Sequence, residues 1–329
     1  MEVVFFHRKP RPNKNFSVEI LFEQIRHHLP SDVQSKVHIA KYYSSGFFKR
    51  IYIALEAIFN QEEINHVTGD INFVAILLKK RRTVLTFLDV GLMNHPNPLA
   101  RKVLQWFWIQ LPAKRAAYIT TISAATKNEL LKYVNIDEKK VKVIYVPVSG
   151  DLHFEPKKFN EKCPVILQIG TKENKNVNRL VTALTGLSCK LEIIGELNES
   201  QIEHLKVNKI SYTNSINLSS QELASKYKEA DIVTLVSTYE GFGMPIVEAQ
   251  IVGRPVVTSD LLSMPEVAGD GALLVDPFDP VDIREAILNI IHNEGLRADL
   301  IQKGRENSGR FSADRVANQY YELYKSMIN

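Results

Sequence analysis

Cysteine is nearly absent from this chain: Cys163 and Cys189 are the only two among 329 residues. A fold held by a disulfide framework is excluded at that density. One bridge is left open by the count, but two reduced thiols in apolar surroundings near strand-like segments is the expectation. Long hydrophobic runs are missing as well, since none approaches the roughly 18 residues that a membrane span needs. Met1–Phe6 lacks a basic start and a small-residue cleavage site, so it reads as a first strand and not as a secretory leader, and a cytoplasmic protein is expected. Overall charge is modest, with a net +4, 24% charged and 45% apolar residues, the proportions of a soluble globular protein. The length suffices for two domains with their own cores.

The charge is unevenly spread. Residues 1–155 hold 22 Lys/Arg and 14 Asp/Glu, a net +8, whereas residues 156–329 hold 19 and 23, a net −4. Either the first half faces something anionic, or its lysines are scattered and solvated.

What is present is organised around Glu240-Gly241-Phe242-Gly243-Met244-Pro245-Ile246-Val247-Glu248. The apolar run Asp231–Val236 leads into it as a strand. Pro245 suits the first turn of a helix, Gly253 ends that helix, and Val256–Thr258 begins the next strand. A glycine turn from strand to helix leaves free amides and a helix dipole at the carboxyl edge of a sheet, which together favour an anion. Two acids flank the turn, Glu240 before the glycines and Glu248 about 6 Å further along the helix axis. Acids repel a bare phosphate but accept hydrogen bonds from hydroxyls, so a ligand carrying both a diphosphate and sugar hydroxyls fits the pattern.

This stretch resembles the Glu-x7-Glu motif of retaining glycosyltransferases of family 4, and Gly253-Arg254-Pro255-Val256-Val257 matches as well. The resemblance implies an α/β chain with the GT-B fold, two Rossmann-like domains facing across a cleft, with a C-terminal helix crossing back to the first. The expected boundaries are 1–155 for the N-terminal, acceptor-side domain, 156–310 for the nucleotide-sugar domain and 311–329 for the returning helix. Donor contacts are implied for Gly241, Phe242, Gly243, Met244, Pro245 and Glu248, the last on the ribose. Glu240 would bind hydroxyls of the donor sugar near the reacting carbon.

In the first half, strand-like runs at Val3–Phe6, Val37–Ala40, Ile64–Val67, Thr83–Leu88, Ala117–Ile122 and Val141–Tyr145 alternate with helix-period segments at Val18–His28, Arg50–Phe59, Val103–Ile109 and Ala124–Tyr133. That alternation predicts a parallel sheet covered on both faces, with ligands beyond the carboxyl ends of its strands. After the first strand, His7–Ser17 holds four basic residues, Arg8 among them, and none of the glycines that relatives often carry. The loop serves either as a contact for a phosphorylated acceptor or as a solvated turn. At the end of the fourth strand relatives place His-Asp on the donor sugar; here Leu88 replaces the histidine and Asp89 remains, to orient an acceptor hydroxyl or to cap the next turn. His66 and His95 are read as loop residues without a visible partner, structural more than catalytic. Phe47–Tyr52 and Arg101–Trp108 mix aromatic and basic residues, which suits either a bilayer surface or ordinary packing on the sheet.

Pro147–Pro164, broken by Gly150, Pro156 and Pro164, suits an interdomain linker. Val165–Ile169 then runs into Gly170-Thr171-Lys172-Glu173-Asn174-Lys175, where the family sets a basic residue on the donor diphosphate. Lys175 fits that place, with Gly170, Thr171 and Lys172 in the same turn. A fixed cation there stabilises the leaving diphosphate as the glycosidic bond breaks. Leu218, after Ile216 where relatives have glycine, falls in the loop that in similar enzymes holds the base. Ser263–Gly271 would buttress the helix of Glu248, Pro280–His292 reads as a helix, and Ser312–Met327 as another with Val316, Tyr320, Leu323 and Tyr324 on one face.

The expected activity is therefore hexose transfer with retention, from a nucleotide sugar to a glycan or lipid-linked acceptor in surface polysaccharide or glycoconjugate synthesis, with Glu240 and Lys175 as the catalytic pair. No Asp-x-Asp occurs, so no bridging metal and no cofactor are expected, nor a nucleic-acid partner. An anionic membrane surface is a further partner suggested by the basic first half. A non-catalytic sugar-nucleotide-binding or scaffold protein of the same fold is the alternative. An oxidoreductase is disfavoured because Ile246 stands where Gly-x-Gly-x-x-Gly needs its third glycine.

Overall fold

The structure, a computed structural model, describes residues 1–10, 17–148 and 152–328. Arg11 and Lys14 of the basic loop, and Gly150 of the expected linker, lie outside the described residues. The chain divides into two compact units, Met1–Pro147 with Ala313–Asn329, and Val148–Ser312.

The first unit opens with β1 (Glu2–His7), α1 (Ser17–His27), β2 (Gln34–Ile39), α2 (Phe47–Ile58) and β3 (Ile64–Val67). It continues with β4 (Thr83–Phe87), α3 (Pro98–Leu104), α4 (Leu111–Arg115), β5 (Tyr118–Thr121), α5 (Ala124–Leu131) and β6 (Val141–Val143). The strands form one parallel sheet in the order β2-β1-β3-β4-β5-β6, with Val3 opposite Ile64 and Val84 opposite Tyr118. Every residue of β3 and β4 is buried, the near-continuous burial that a sheet covered on both faces imposes. Caps fix the helix starts: Asn97 accepts from the Leu99 and Ala100 amides ahead of Pro98, and Ser123 accepts from the Thr126 amide. Between α3 and α4 the helix is wound as a π-turn over Gln105–Gln110.

The second unit contains β7 (Val165–Ile169), α6 (Val177–Leu184), β8 (Lys190–Ile194), α7 (Glu199–Val207), β9 (Tyr212–Ser215) and α8 (Ser220–Glu229). Next come β10 (Ile232–Leu235), α9 (Met244–Val252), β11 (Val256–Ser259), α10 (Met264–Ala268) and β12 (Leu273–Val275). α11 (Pro280–His292) and α12 (Glu294–Ser308) complete the unit. Its strands are again all parallel, in the order β12-β11-β10-β7-β8-β9. The chain proceeds from β7 in one direction to β9, then returns to the other side of β7 with β10. The point where the order reverses therefore lies between β7 and β10, and crevices beyond the strand ends at such points are where open α/β sheets bind ligands. The core under this edge is aliphatic; Ile166, Leu191, Ile193, Ile232 and Val257 are fully buried, each contributing about 1.5–3 kcal/mol.

The last helix, α13 (Ala313–Ile328), returns to the first unit with Val316, Ala317, Tyr320, Leu323 and Tyr324 buried, the apolar face anticipated from the sequence. There Tyr324 bonds to His66 Nδ1 at 2.7 Å, and His66 Nε2 meets Thr86 Oγ1 at 2.7 Å. His66 is thus not a loop residue without a partner: it lies in β3, fully buried between two hydroxyls, and burial pushes its pKa down to about 3.

Two other expectations change. The segment after residue 151 is not a free linker: Arg305 stacks over Phe154 at 4.0 Å, and Lys157 pairs with buried Asp231, which also accepts from the Asn160 and Val165 amides. Cys163 is exposed, not in apolar surroundings, whereas Cys189 is buried and its thiol is raised to about 11. Neither α12 nor the π-turn was anticipated.

Candidate active site

The loops that follow β7 and β10 meet at the reversal point of the second sheet. After β7 the chain turns at Gly170, with φ +87°, and then forms a single 3-10 turn over Glu173–Lys175. A Cβ on Gly170 would stand 2.9 Å from Lys175 Cε and 3.0 Å from its Cγ. Glycine is favoured there by the left-handed backbone, and a side chain would also press on the lysine that lies across it. Lys175 Nζ donates to Glu240 Oε1 at 2.6 Å, and both side chains are largely enclosed, at 18% and 14% exposure.

Several side chains hold the two loops in this register. Buried Gln168 donates from Nε2 to the carbonyls of Gly170 (3.2 Å) and Lys175 (3.3 Å), while Thr234 Oγ1 donates to its Oε1 at 3.1 Å. Asn174 donates to the Tyr239 carbonyl at 2.8 Å and receives the Thr238 amide at 2.8 Å. Asn176, left-handed at φ 60°, donates to Val236 and Pro277. Ser263, just before α10, donates to the carbonyls of Glu240 and Phe242, both at 3.0 Å. The buttress expected of residues 263–271 is therefore attached to the glycine turn directly, not only to its helix.

Gly243, with φ +100°, is the residue before α9, whose first turn carries Met244 and Pro245. A Cβ on Gly243 would lie 3.1 Å from Ile246 Cδ1 and 3.3 Å from Leu235 Cδ2. Phe242 is buried and packs edge-on against Phe311 at 5.4 Å. Within α9, Glu248 is half-buried and accepts the hydroxyl of Tyr227, a fully buried residue of α8. Enclosure by protein pushes the Glu248 carboxyl above its ordinary range, against the opposing pull of the Tyr227 hydrogen bond and the Lys175 charge. Behind it, buried Arg254 donates to five carbonyls, those of Tyr227, Lys228, Val252, Gly253 and Glu155.

Lys175, Glu240, Glu248, Gly170 and the 241–245 turn are thus brought together around one sheet edge. Thr171 is anchored to the Glu196 carbonyl at 2.6 Å, Lys172 is exposed in the same turn, and Leu218 lies in the loop from β9 to α8. In the first unit, Arg8 is held by Glu19 and Asp70, and Asp89 caps its own turn by accepting the Gly91 amide at 2.8 Å. Both line a cavity of about 670 Å³ at the carboxyl edge of that sheet, and Leu88 forms part of its wall. Gln168, Asn174, Asn176 and Tyr227 were missed from the sequence. The run of asparagines in the 174–178 turn was the only signal for two of them.

Residues 150–307 match the family model described as glycosyl transferases group 1. Anabaena HepE, solved in complex with UDP and glucose, superposes with a TM-score of 0.80 over 99% of this chain and 100% of its own, at 16% identity. The chain has the GT-B fold. WaaG, a glycosyltransferase involved in lipopolysaccharide biosynthesis, shares that GT-B architecture at a TM-score of 0.72 and 13% identity, over 98% of this chain and 99% of its own. Among curated proteins, O-antigen chain mannosyltransferase RfbU of Salmonella typhimurium is 27% identical over 220 residues, 64% of this chain and 61% of that protein. O-antigen chain mannosyltransferase B of Escherichia coli is 26% identical over 276 residues, 74% and 70% respectively. The family match covers the second GT-B unit, the one that holds the Lys175–Glu240 pair.

Proposed function

We propose that the protein is a retaining, metal-independent glycosyltransferase that moves a hexose from a nucleotide sugar to a glycan or lipid-linked acceptor in surface polysaccharide synthesis. The observation that carries this is the ion pair of Lys175 with Glu240 at the reversal point of the second sheet, beside the amino end of α9. The mannosyltransferase relatives and the UDP complex of HepE support the substrate class.

In this reading the donor diphosphate sits at the amino end of α9, where the helix dipole favours negative charge, although Pro245 has no N–H and the Ile246 amide already bonds the Gly243 carbonyl. Lys175 keeps two N–H donors beyond the one given to Glu240 and offers them to the phosphate oxygens. As the bond from the sugar carbon to the phosphate oxygen breaks, charge grows on the diphosphate, and a fixed cation in an enclosed site lowers that cost. Glu240 accepts hydroxyls of the transferred sugar. Glu248, with one oxygen committed to Tyr227, accepts the ribose hydroxyls on the other. The acceptor attacks on the face the leaving group departs from, the leaving phosphate takes its proton, and no covalent nucleophile is assigned.

Leu88 in the cavity wall, in place of a histidine, favours a second reading, a sugar-nucleotide-binding protein without turnover. A thermal-shift screen against UDP-, GDP-, ADP- and dTDP-sugars, followed by donor hydrolysis and transfer assays, separates the two. Stabilisation by one donor together with hydrolysis or transfer supports the enzyme. Binding without either reaction, with any cell-derived acceptor, supports the second reading, and no binding removes both.

A further inference from the structure

The cavity of the first unit contains polar atoms that the protein leaves unsatisfied. Arg50 Nε, Ser44 Oγ and Asn72 Oδ1 are all buried without a hydrogen-bond partner, and all three residues line this cavity. Asn72 is 93% enclosed, at 7% exposure, and its amide nitrogen is already committed to the Trp108 carbonyl at 3.2 Å. Buried polar groups in folded proteins are nearly always paired, because each orphan costs about 1–3 kcal/mol. Three on one wall form a preorganised set of two donors and one acceptor.

Charge makes the set more specific. Arg8 is neutralised by Glu19 and Asp70. Arg50 instead donates to the Ser44 carbonyl at 3.3 Å and stacks its guanidinium on Trp108 at 4.5 Å, with no carboxylate partner among the described residues. Among the described residues Lys9 likewise meets the Lys41 carbonyl and the Tyr43 ring and no carboxylate. A guanidinium fixed by stacking and without a counter-ion is a ready partner for phosphate or carboxylate. The volume, about 670 Å³, exceeds what an inorganic ion fills and falls in the range of small-molecule sites. The Asn72 oxygen needs a donor, which a hydroxyl supplies and a bare anion does not.

We propose that this cavity is the acceptor subsite for an anionic sugar, a ring bearing phosphate or carboxylate, with its charge on Arg50 and Ser44 and a hydroxyl on Asn72. The assignment rests on the glycosyl-transfer reading, and it moves the anion contact from Arg8, where the sequence suggested it, to Arg50.

The chain has two tryptophans, so Trp106→Phe leaves Trp108, stacked on Arg50, as the sole reporter. Its fluorescence, checked by calorimetry, is titrated with mannose 6-phosphate, glucuronate, inorganic phosphate and mannose. Saturable binding of at least one charged sugar is expected, at least about tenfold tighter than mannose and inorganic phosphate. The sugar that binds identifies phosphate or carboxylate as the group recognised. Arg50→Gln should remove that preference and leave mannose unchanged. Ser44→Ala, which keeps the charge, should weaken the charged sugar by a smaller factor and serves if Arg50→Gln fails to fold. Equal binding of mannose and the charged sugars, no response to any of them, or unchanged affinity in the folded variants overturns the proposal. Nucleotide-sugar thermal shifts on the same samples keep the two readings apart. Donor binding without charged-sugar binding removes only the subsite, and absent donor binding removes the transferase while the titration still decides what the cavity holds.

Discussion

Lys175 and Glu240 are separated by 65 positions in the chain, yet their charged atoms lie 2.6 Å apart, each carried on the first loop beyond one of two neighbouring strands. Largely enclosed ion pairs of this kind cost desolvation, a cost that the proposed donor diphosphate would offset by meeting the Lys175 ammonium. Glu240→Gln keeps the hydrogen-bond acceptor and removes the charge. It is expected to lower turnover by about 10²-fold with donor affinity within a few-fold of the parent, measured by steady-state kinetics. Normal turnover in this variant would sink the role given to Glu240.

Glu248 links stability to binding with opposite signs. Its carboxyl is pushed up by enclosure, so the fold prefers the protonated form, and the ionised form at neutral pH destabilises the empty protein. Glu248→Gln, still able to accept from Tyr227, should therefore raise the melting temperature at pH 7.5, by about 1 kcal/mol equivalent, while weakening nucleotide-sugar binding. The gain should shrink as pH falls and Glu248 protonates. Melting curves with and without donor check both halves, and a lower melting temperature would contradict the assignment.

Gly170→Ala tests whether the site depends on where Lys175 lies. The new methyl meets the lysine side chain at about 3 Å in a left-handed backbone conformation. A loss of about 1–2 kcal/mol in stability is expected, together with a drop in donor affinity close to that of Lys175→Met. Parent-like donor titrations would show that the lysine has another route to the diphosphate.

Acid should weaken the first unit through His66. Its folded pKa, about 3, lies below the ordinary imidazole value of 6.5, so the folded state binds fewer protons and stability falls as pH drops from 6.5 towards 3. The buried His7, lowered to about 4, acts in the same direction. Between pH 6.5 and 4 the His66 contribution alone is about 3 kcal/mol. Denaturant melts from pH 7 to 4 should show this slope, and Tyr324→Phe, which removes one hydroxyl partner of His66, should cost about 1–2 kcal/mol at pH 7.

The membrane suggestion has a surface to test. Phe47, Phe48 and Phe59 are 69, 83 and 86% exposed on and just after α2, and Leu99, Trp106 and Phe107 are exposed along α3 and the π-turn. Exposed aromatics next to Lys49, Arg101 and Lys102 fit an anionic bilayer surface. Sedimentation with anionic liposomes should show binding at low salt that weakens at high salt and falls in Phe47→Ser/Phe48→Ser. No binding at low salt removes the idea.

The inner strands of both sheets were legible because a sheet buried on two faces must be written in apolar runs, as β4 and β10 are, whereas the half-exposed edge strands β9 and β12 were not. The glycine turn at 241–243 was legible because strand, glycine and proline follow one another within a few residues. α12 was not, since it buries Arg297 and Gly304 along with a single leucine, Leu300, and so carries no apolar stripe. The cavity wall was illegible for another reason. Arg50 and Trp108 were read as members of two separate aromatic–basic stretches, and only the fold stacks one on the other. Asn72 carried no signal at all, because an orphaned oxygen is a property of surroundings and not of sequence.

The return of α13 has a consequence for the order in which the protein is made. Phe5, Phe22 and His66 find their aromatic neighbours Tyr320 and Tyr324 on α13, which follows the whole second unit in the chain. The second unit is complete once residue 312 has been synthesised, and it can fold while the first still waits with an open core. Residues 1–147 therefore cannot close their core until residues 313–328 have been made, after the whole of the second unit.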